Sequence, residues 1–193
     1  MNNAIEEQNY KGYNIKIYQD EDPLNPRTEW DNFGHMVCFH GRYTLGDKHT
    51  MSIEDVKDIL GRSDVVALPL YLYDHSGITM SCKPFSCPWD SGQVGIIYVT
   101  YEEIKKEFSI QKVTPKYIEK IRKVLMNEVE TYDKYLRGDV LGYVIEKDGR
   151  DIDSCWGFYD SVEYLVTECQ SHIDYDIENE DKQQNLINKV VAL

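Results

Sequence analysis

Two apolar runs joined by a turn limit the fold of this chain more than any other feature. Residues 65–73 (VVALPLYLY) read as a strand, Asp74-His75-Ser76-Gly77 is a tight turn, and residues 78–82 follow as a second strand. Such a pair is a β-hairpin, with its strands antiparallel. Pro69 cannot donate to a ladder, so this strand is expected at an edge or with a bulge. A second hairpin is predicted from residues 140–146 and 152–159 around Lys147-Asp148-Gly149-Arg150. Residues 93–100 (QVGIIYVT) are the most apolar strand and are expected at the centre of a sheet. Residues 13–18 (YNIKIY) alternate with the period of a half-buried strand, and residues 36–43 read as another.

Helices are marked by their caps. Ser52 precedes an amphipathic stretch with Ile53, Val56, Ile59 and Leu60 on one face, and Gly61 ends it. Thr100 or Tyr101 opens a short helix to Phe108, and residues 162–172 read as another. Thr114-Pro115 is an N-cap followed by proline in the first helical position. The helix it opens runs to about Leu136, with Ile118, Ile121, Val124, Leu125, Glu128, Val129 and Tyr132 along one face. The fold class is therefore α+β: a mainly antiparallel sheet of about six strands with one long helix, residues 114–136, packed on a face. Residues 1–173 are expected to form a single domain. Residues 174–193 are expected to be an acidic segment and a short C-terminal helix or mobile tail, with Leu186, Ile187, Val190 and Val191 on one side.

Charge narrows the partners. The formal net charge is −13, which disfavours general DNA binding, because duplex binding neutralises phosphates with Lys and Arg. It suits solubility, or docking onto the basic surface of a nucleic-acid-binding protein. Tyrosine is in excess, at 15 residues against five Phe and three Trp, which suits half-buried sheet faces and contact surfaces. Cys38, Cys82, Cys87, Cys155 and Cys169 make an odd number, and the first 18 residues carry no apolar leader core, so reduced thiols in a cytoplasm are expected. No apolar run is long enough to span a membrane.

Several constellations could carry chemistry. A catalytic site would draw on Asp74, His75, Asp90 and Cys155, a thiol with an imidazole base and an orienting carboxylate. The competing reading is ordinary: Asp is common in turns, and a mid-strand cysteine is usually a buried, inert thiol. Cys38-x-His40 and Cys82-x4-Cys87 could in principle assemble a zinc site, but neither pair has the usual ligand spacing. Turn aspartates such as Asp31, Asp47, Asp74, Asp90, Asp151 and Asp153 could pair around Mg²⁺. No cofactor or metal is expected, with zinc and magnesium left open. Trp30, Trp89, Tyr73 and His40 are the candidate binding residues.

Blocks along the chain also carry a family likeness. They are Trp30-Asp31-Asn32 with Met36, Cys38, His40, Arg42-Tyr43 and Leu45-Gly46-Asp47, then Leu68-Pro69-Leu70-Tyr71 and Tyr73-Asp74-His75-Ser76-Gly77. Pro84-Phe85-Ser86-Cys87-Pro88-Trp89-Asp90-Ser91-Gly92-Gln93-Val94-Gly95 follows, and then Tyr132-Asp133, Tyr135-Leu136, Gly138-Asp139-Val140 and Asp153-Ser154-Cys155-Trp156-Gly157-Phe158-Tyr159. Over roughly residues 30–159 the chain resembles a family of small proteins encoded by tailed phages and integrated elements. Cys82 falls where related sequences need no cysteine, and the acidic stretch after Asp174 lies outside the match.

That family has no assigned activity. The resemblance implies a phage or mobile-element setting and a location in the host cytoplasm. The leading expectation is a non-enzymatic accessory protein that binds and inhibits a host factor, of anti-CRISPR or antirestriction type. The alternative is a hydrolase or nucleotide-processing enzyme with the Asp/His/Cys site. A third reading makes the Trp, Pro, Asp and Gly motifs fold-specifying turns alone.

Overall fold

The computed structural model describes residues 3–191, and within its last helix the side chains at 181, 184–187 and 189–191 are outside the description. In chain order the elements begin with β1 (Glu6–Tyr10), β2 (Tyr13–Gln19), α1 (Pro26–Glu29), β3 (His35–Cys38) and α2 (Ile53–Gly61). They continue with β4 (Val65–Asp74), β5 (Ile78–Ser81), β6 (Ser91–Thr100), α3 (Tyr101–Glu107) and α4 (Pro115–Arg137). The last three are β7 (Leu141–Lys147), β8 (Arg150–Phe158) and α5 (Val162–Val191). The chain divides into two compact units, one from Met1–Pro23 and Gly138–Leu193, the other from Leu24–Arg137.

In the first unit the sheet order is β1-β2-β7-β8, all antiparallel. Both hairpins turn on two residues of positive φ, Lys11 and Gly12, then Asp148 and Gly149, the conformation a two-residue hairpin loop requires. Tyr13, Ile15 and Ile17 alternate onto one face with Tyr143 and Ile145. Against it α5 lays Leu165, Cys169 and Ile173, spaced by four so that they share one side of the helix. Strand β1 has no apolar stripe: its sequence is EEQNY, and it is held by the tight turn and the ladder to β2.

The second unit has the order β3-β6-β4-β5, again antiparallel. Val66, Leu68, Leu70 and Leu72 of β4 alternate onto one face with Met36, Ile97 and Val99, and Ile121, Leu125, Val129 and Tyr132 of α4 cover it. Val37 and Ile96 turn to the opposite face, where Val56 of α2 joins them. Two capping boxes start the shorter helices, Ser52 with Asp55 and Thr100 with Glu103. Strand β6 is central, and it approaches β3 so closely that a Cβ at Gly95 would sit 1.9 Å from the Val37 carbonyl oxygen. Pro69 lies in the half of β4 that pairs with β6 alone, since the β5 ladder begins at Tyr71, and a register shift follows at Leu70/Tyr71.

A buried charge network fixes the loops of this unit. The Arg27 side chain is 1% exposed. Its Nε and Nη2 donate to Asp47 at 2.8 Å each, Nη1 to Glu128 at 2.8 Å and Nη2 to the Gly34 carbonyl at 2.7 Å. Glu128 also accepts from the N–H groups of Phe33 and Gly34, and Asp47 from that of Met36. Every carboxylate oxygen in the network therefore has a donor, the condition for keeping charge in an interior.

The class is α+β with antiparallel sheets, as expected. Among the described residues, the expected sheet of about six strands is instead eight strands in two sheets of four. A second long helix, α5 with 30 residues, joins the 23-residue α4. The expected boundary between residues 173 and 174 falls inside α5. Its apolar stripe continues past Ile173 to Ile177, so Asp174, Asp176, Glu178 and Glu180 occupy the outer sides of an amphipathic helix. Asp174 is tied down by Lys11 Nζ at 2.8 Å and the Tyr10 hydroxyl at 3.1 Å. The expected placement of Leu186, Ile187, Val190 and Val191 on one side lies outside the described residues.

Candidate functional site

The tip of the β4–β5 hairpin and the loop before β6 assemble most of the candidate residues within the second unit. Strand β4 ends on Tyr73 and Asp74, and the turn closes through the His75 N–H on the Gly77 carbonyl at 3.0 Å, with Ser76 at φ 58°. Loop 84–90 folds back onto it. The Asp74 N–H donates to the Asp90 carbonyl at 2.8 Å, and His75 Nδ1 lies 3.2 Å from Asp90 Oδ2. The same Oδ2 accepts from Cys87 Sγ at 3.6 Å, and Ser91 Oγ donates to the Cys87 carbonyl. Tyr73 stands between His75 and Phe85, with ring centroids 6.1 and 5.7 Å away.

The loop after β3 meets this cluster. His40 Nδ1 accepts from the N–H groups of Arg42 and Tyr43 at 3.3 and 3.2 Å, so a neutral His40 carries its proton on Nε2. Its ring stacks on Tyr43, and Arg42 Nη2 donates to Asp74 Oδ2. The Asp74 side chain is thereby occupied by a cation. The Cys87–Asp90 bond pairs the thiol with a carboxylate rather than with the imidazole. That order holds a loop.

Asp74, His75 and Asp90 thus come together, whereas Cys155 belongs to the first unit. It sits exposed on β8 opposite Tyr143, so the expected mid-strand burial does not hold for it. Three other thiols are poor nucleophiles: burial pushes Cys38 and Cys169 up to about 12 and Cys82 to about 11. Among the described residues, no three His, Cys, Asp or Glu side chains are grouped to hold a metal ion. Among the described residues, no helix is long and apolar enough to cross a membrane.

Of the candidate binding residues, Tyr73 and His40 are half-buried in the cluster. Trp30 caps the C-terminus of α1 at 44% exposure. Trp89 is 92% exposed, at the apex of the loop that Cys87, Asp90 and Ser91 pin down. Sequence reasoning passed over Arg42 and Phe85 as site residues. Phe85 carries only the weak signal of an aromatic residue after proline, and the Arg42 contact arises from loops 32 residues apart. The chain matches no protein-family model, no curated protein and no solved structure.

Proposed function

We propose that this chain is a phage or mobile-element accessory protein that binds and inhibits a basic host protein, in the manner of an anti-CRISPR or antirestriction factor. The observation that carries the reading is Trp89, held almost wholly in solvent on a loop fixed by its own hydrogen bonds. Large exposed aromatics on preordered loops suit contact hot spots, since little side-chain freedom is lost on docking. The net charge of −13 suits a basic partner, and the likeness to phage-encoded proteins supplies the setting. The test is phage plating on a host with an active CRISPR or restriction system. Expression of the chain is expected to raise plating of a targeted phage, and Trp89→Ala to abolish that rise. Plating unchanged by the wild-type chain across such systems would refute the proposal.

A hydrolase or nucleotide-processing reading has one favouring observation, the His75–Asp90 pair, which is the right type for general acid–base work. Within the same unit, Asp74 is engaged by Arg42 and the nearby Cys87 thiol by Asp90. The inhibitor reading is preferred on that ground.

A further inference from the structure

The first unit contains a groove that the hairpin cluster does not use. In β2, β7 and β8, the residues that point away from α5 include Lys16, Tyr18, Gly142, Val144 and Trp156. The Trp156 indole lies flat over Gly142, where a Cβ would come within 2.1 Å of the ring. Its neighbour Tyr18 is 6.1 Å away between ring centroids. Together with the turn after β2 they bound an open cavity of about 540 Å³. Its other walls carry Asp20, Glu21, Asp22, Glu146 and Asp151.

The lining is one-sided in charge. Glu146 is paired with Lys16 at 2.6 Å. Among the described residues, Glu21, Asp22 and Asp151 have no cation within ion-pair distance. The combination of an aromatic floor and unpaired carboxylates at the rim is selective. An apolar ligand would leave the carboxylates without partners, and an anion would be repelled. A Lys or Arg side chain would satisfy both, its stem on the rings and its charge among the acids. Strand β8 is also the outer strand of its sheet, exposed along nearly its whole length, so an extended chain can run beside the groove.

We infer that the Tyr18–Trp156 groove is the docking site for a lysine or arginine side chain on an extended basic segment of the partner. This rests on the reading of the chain as a binder of a basic protein and names the surface that takes it.

The probe is fluorescein-labelled hexalysine, titrated with the full chain by fluorescence anisotropy, with hexaglutamate as control. Hexalysine is expected to bind and to shift the Trp156 indole resonance, and hexaglutamate to do neither. Trp156→Ala and Asp151→Asn should each weaken hexalysine about tenfold; the second is isosteric and exposed, so it answers even where the first disturbs β8. The α2 double variant Glu54→Gln/Asp58→Asn removes two charges elsewhere and should change affinity less than about twofold. Equal weakening by the α2 variant, or wild-type affinity in both groove variants, would overturn the inference. Plating by the wild-type chain judges the inhibitor reading separately. A groove that binds hexalysine in a chain without effect on plating sinks that reading alone, and the reverse result sinks the groove alone.

Discussion

Arg27 Nη1 lies 2.8 Å from Glu128 Oε2, with the two side chains 1% and 15% exposed. The pair joins the loop around Gly34 to the middle of α4, and Glu128 sits beside the helix face that carries Ile121, Leu125, Val129 and Tyr132. Removing Glu128 leaves buried donors without an acceptor. Glu128→Ala leaves Arg27 Nη1 and the N–H groups of Phe33 and Gly34 without their acceptor, while Asp47 still holds Arg27 Nε and Nη2. The expected loss is about 3 kcal/mol, read as a drop in the urea midpoint at unchanged slope.

Four of the five thiols should separate by reactivity. Cys155 is exposed, while Cys38 and Cys169 are buried and pushed up to about 12, and Cys82 to about 11. With iodoacetamide near neutral pH, mass spectrometry of the native chain is expected to find Cys155 alkylated first. Cys38, Cys82 and Cys169 should be alkylated only once urea unfolds their unit. Early labelling of Cys38 or Cys169 would contradict the burial described here.

The helix caps predict how stability responds to acid. Burial raises the Glu103 carboxyl, but hydrogen bonds from the Thr100 side chain and N–H and from His35 outweigh it and hold it below its ordinary 4.5. The Asp55 carboxyl is likewise held below 3.8 by the Ser52 N–H and hydroxyl. A carboxyl depressed in the fold contributes stability that is present above its unfolded value and lost as pH falls through its folded one. Thr100→Ala is expected to cost about 1 kcal/mol near neutral pH, and the gap from wild type should narrow on acidification below that range. Urea titrations at two pH values check this; a gap that widens in acid would refute it.

The same caps show what was legible in the residues. Ser52, Thr100 and Thr114-Pro115 announced three helices because capping is local chemistry, confined to four consecutive positions. The β4–β5 and β7–β8 hairpins were legible for the same reason. Strand β1 was not, because EEQNY has no alternating apolar face and is held by a turn and a ladder. The run of α5 through residues 174–181 was masked by acids, although Ile173 and Ile177 keep the helical period. At the candidate site, Asp74 and His75 were visible as a turn, and Asp90 as a loop residue. Their convergence depends on how loop 84–90 folds back, which no local pattern encodes. Cys155 belongs to the other of the two units, a division set by long-range pairing that no local pattern encodes.

His75 and Trp89 can be separated by substitution. The His75 and Asp90 side chains are 63% and 39% exposed, and an ion pair so open to water contributes about 0–1 kcal/mol. His75→Ala should therefore leave the melting temperature nearly unchanged, with the loop still held by Ser91 Oγ on the Cys87 carbonyl and by the Asp74 N–H on the Asp90 carbonyl. Trp89, at 92% exposure, also contributes little to the fold. If the chain acts by contact, Trp89→Ala loses the plating effect and His75→Ala retains most of it, since only the former removes a large docking surface. If it acts by general acid–base catalysis, the order reverses. The two variants assayed side by side, with melting curves to show that both are folded, decide between inhibitor and enzyme; loss of effect in His75→Ala with Trp89→Ala active would overturn the inhibitor reading.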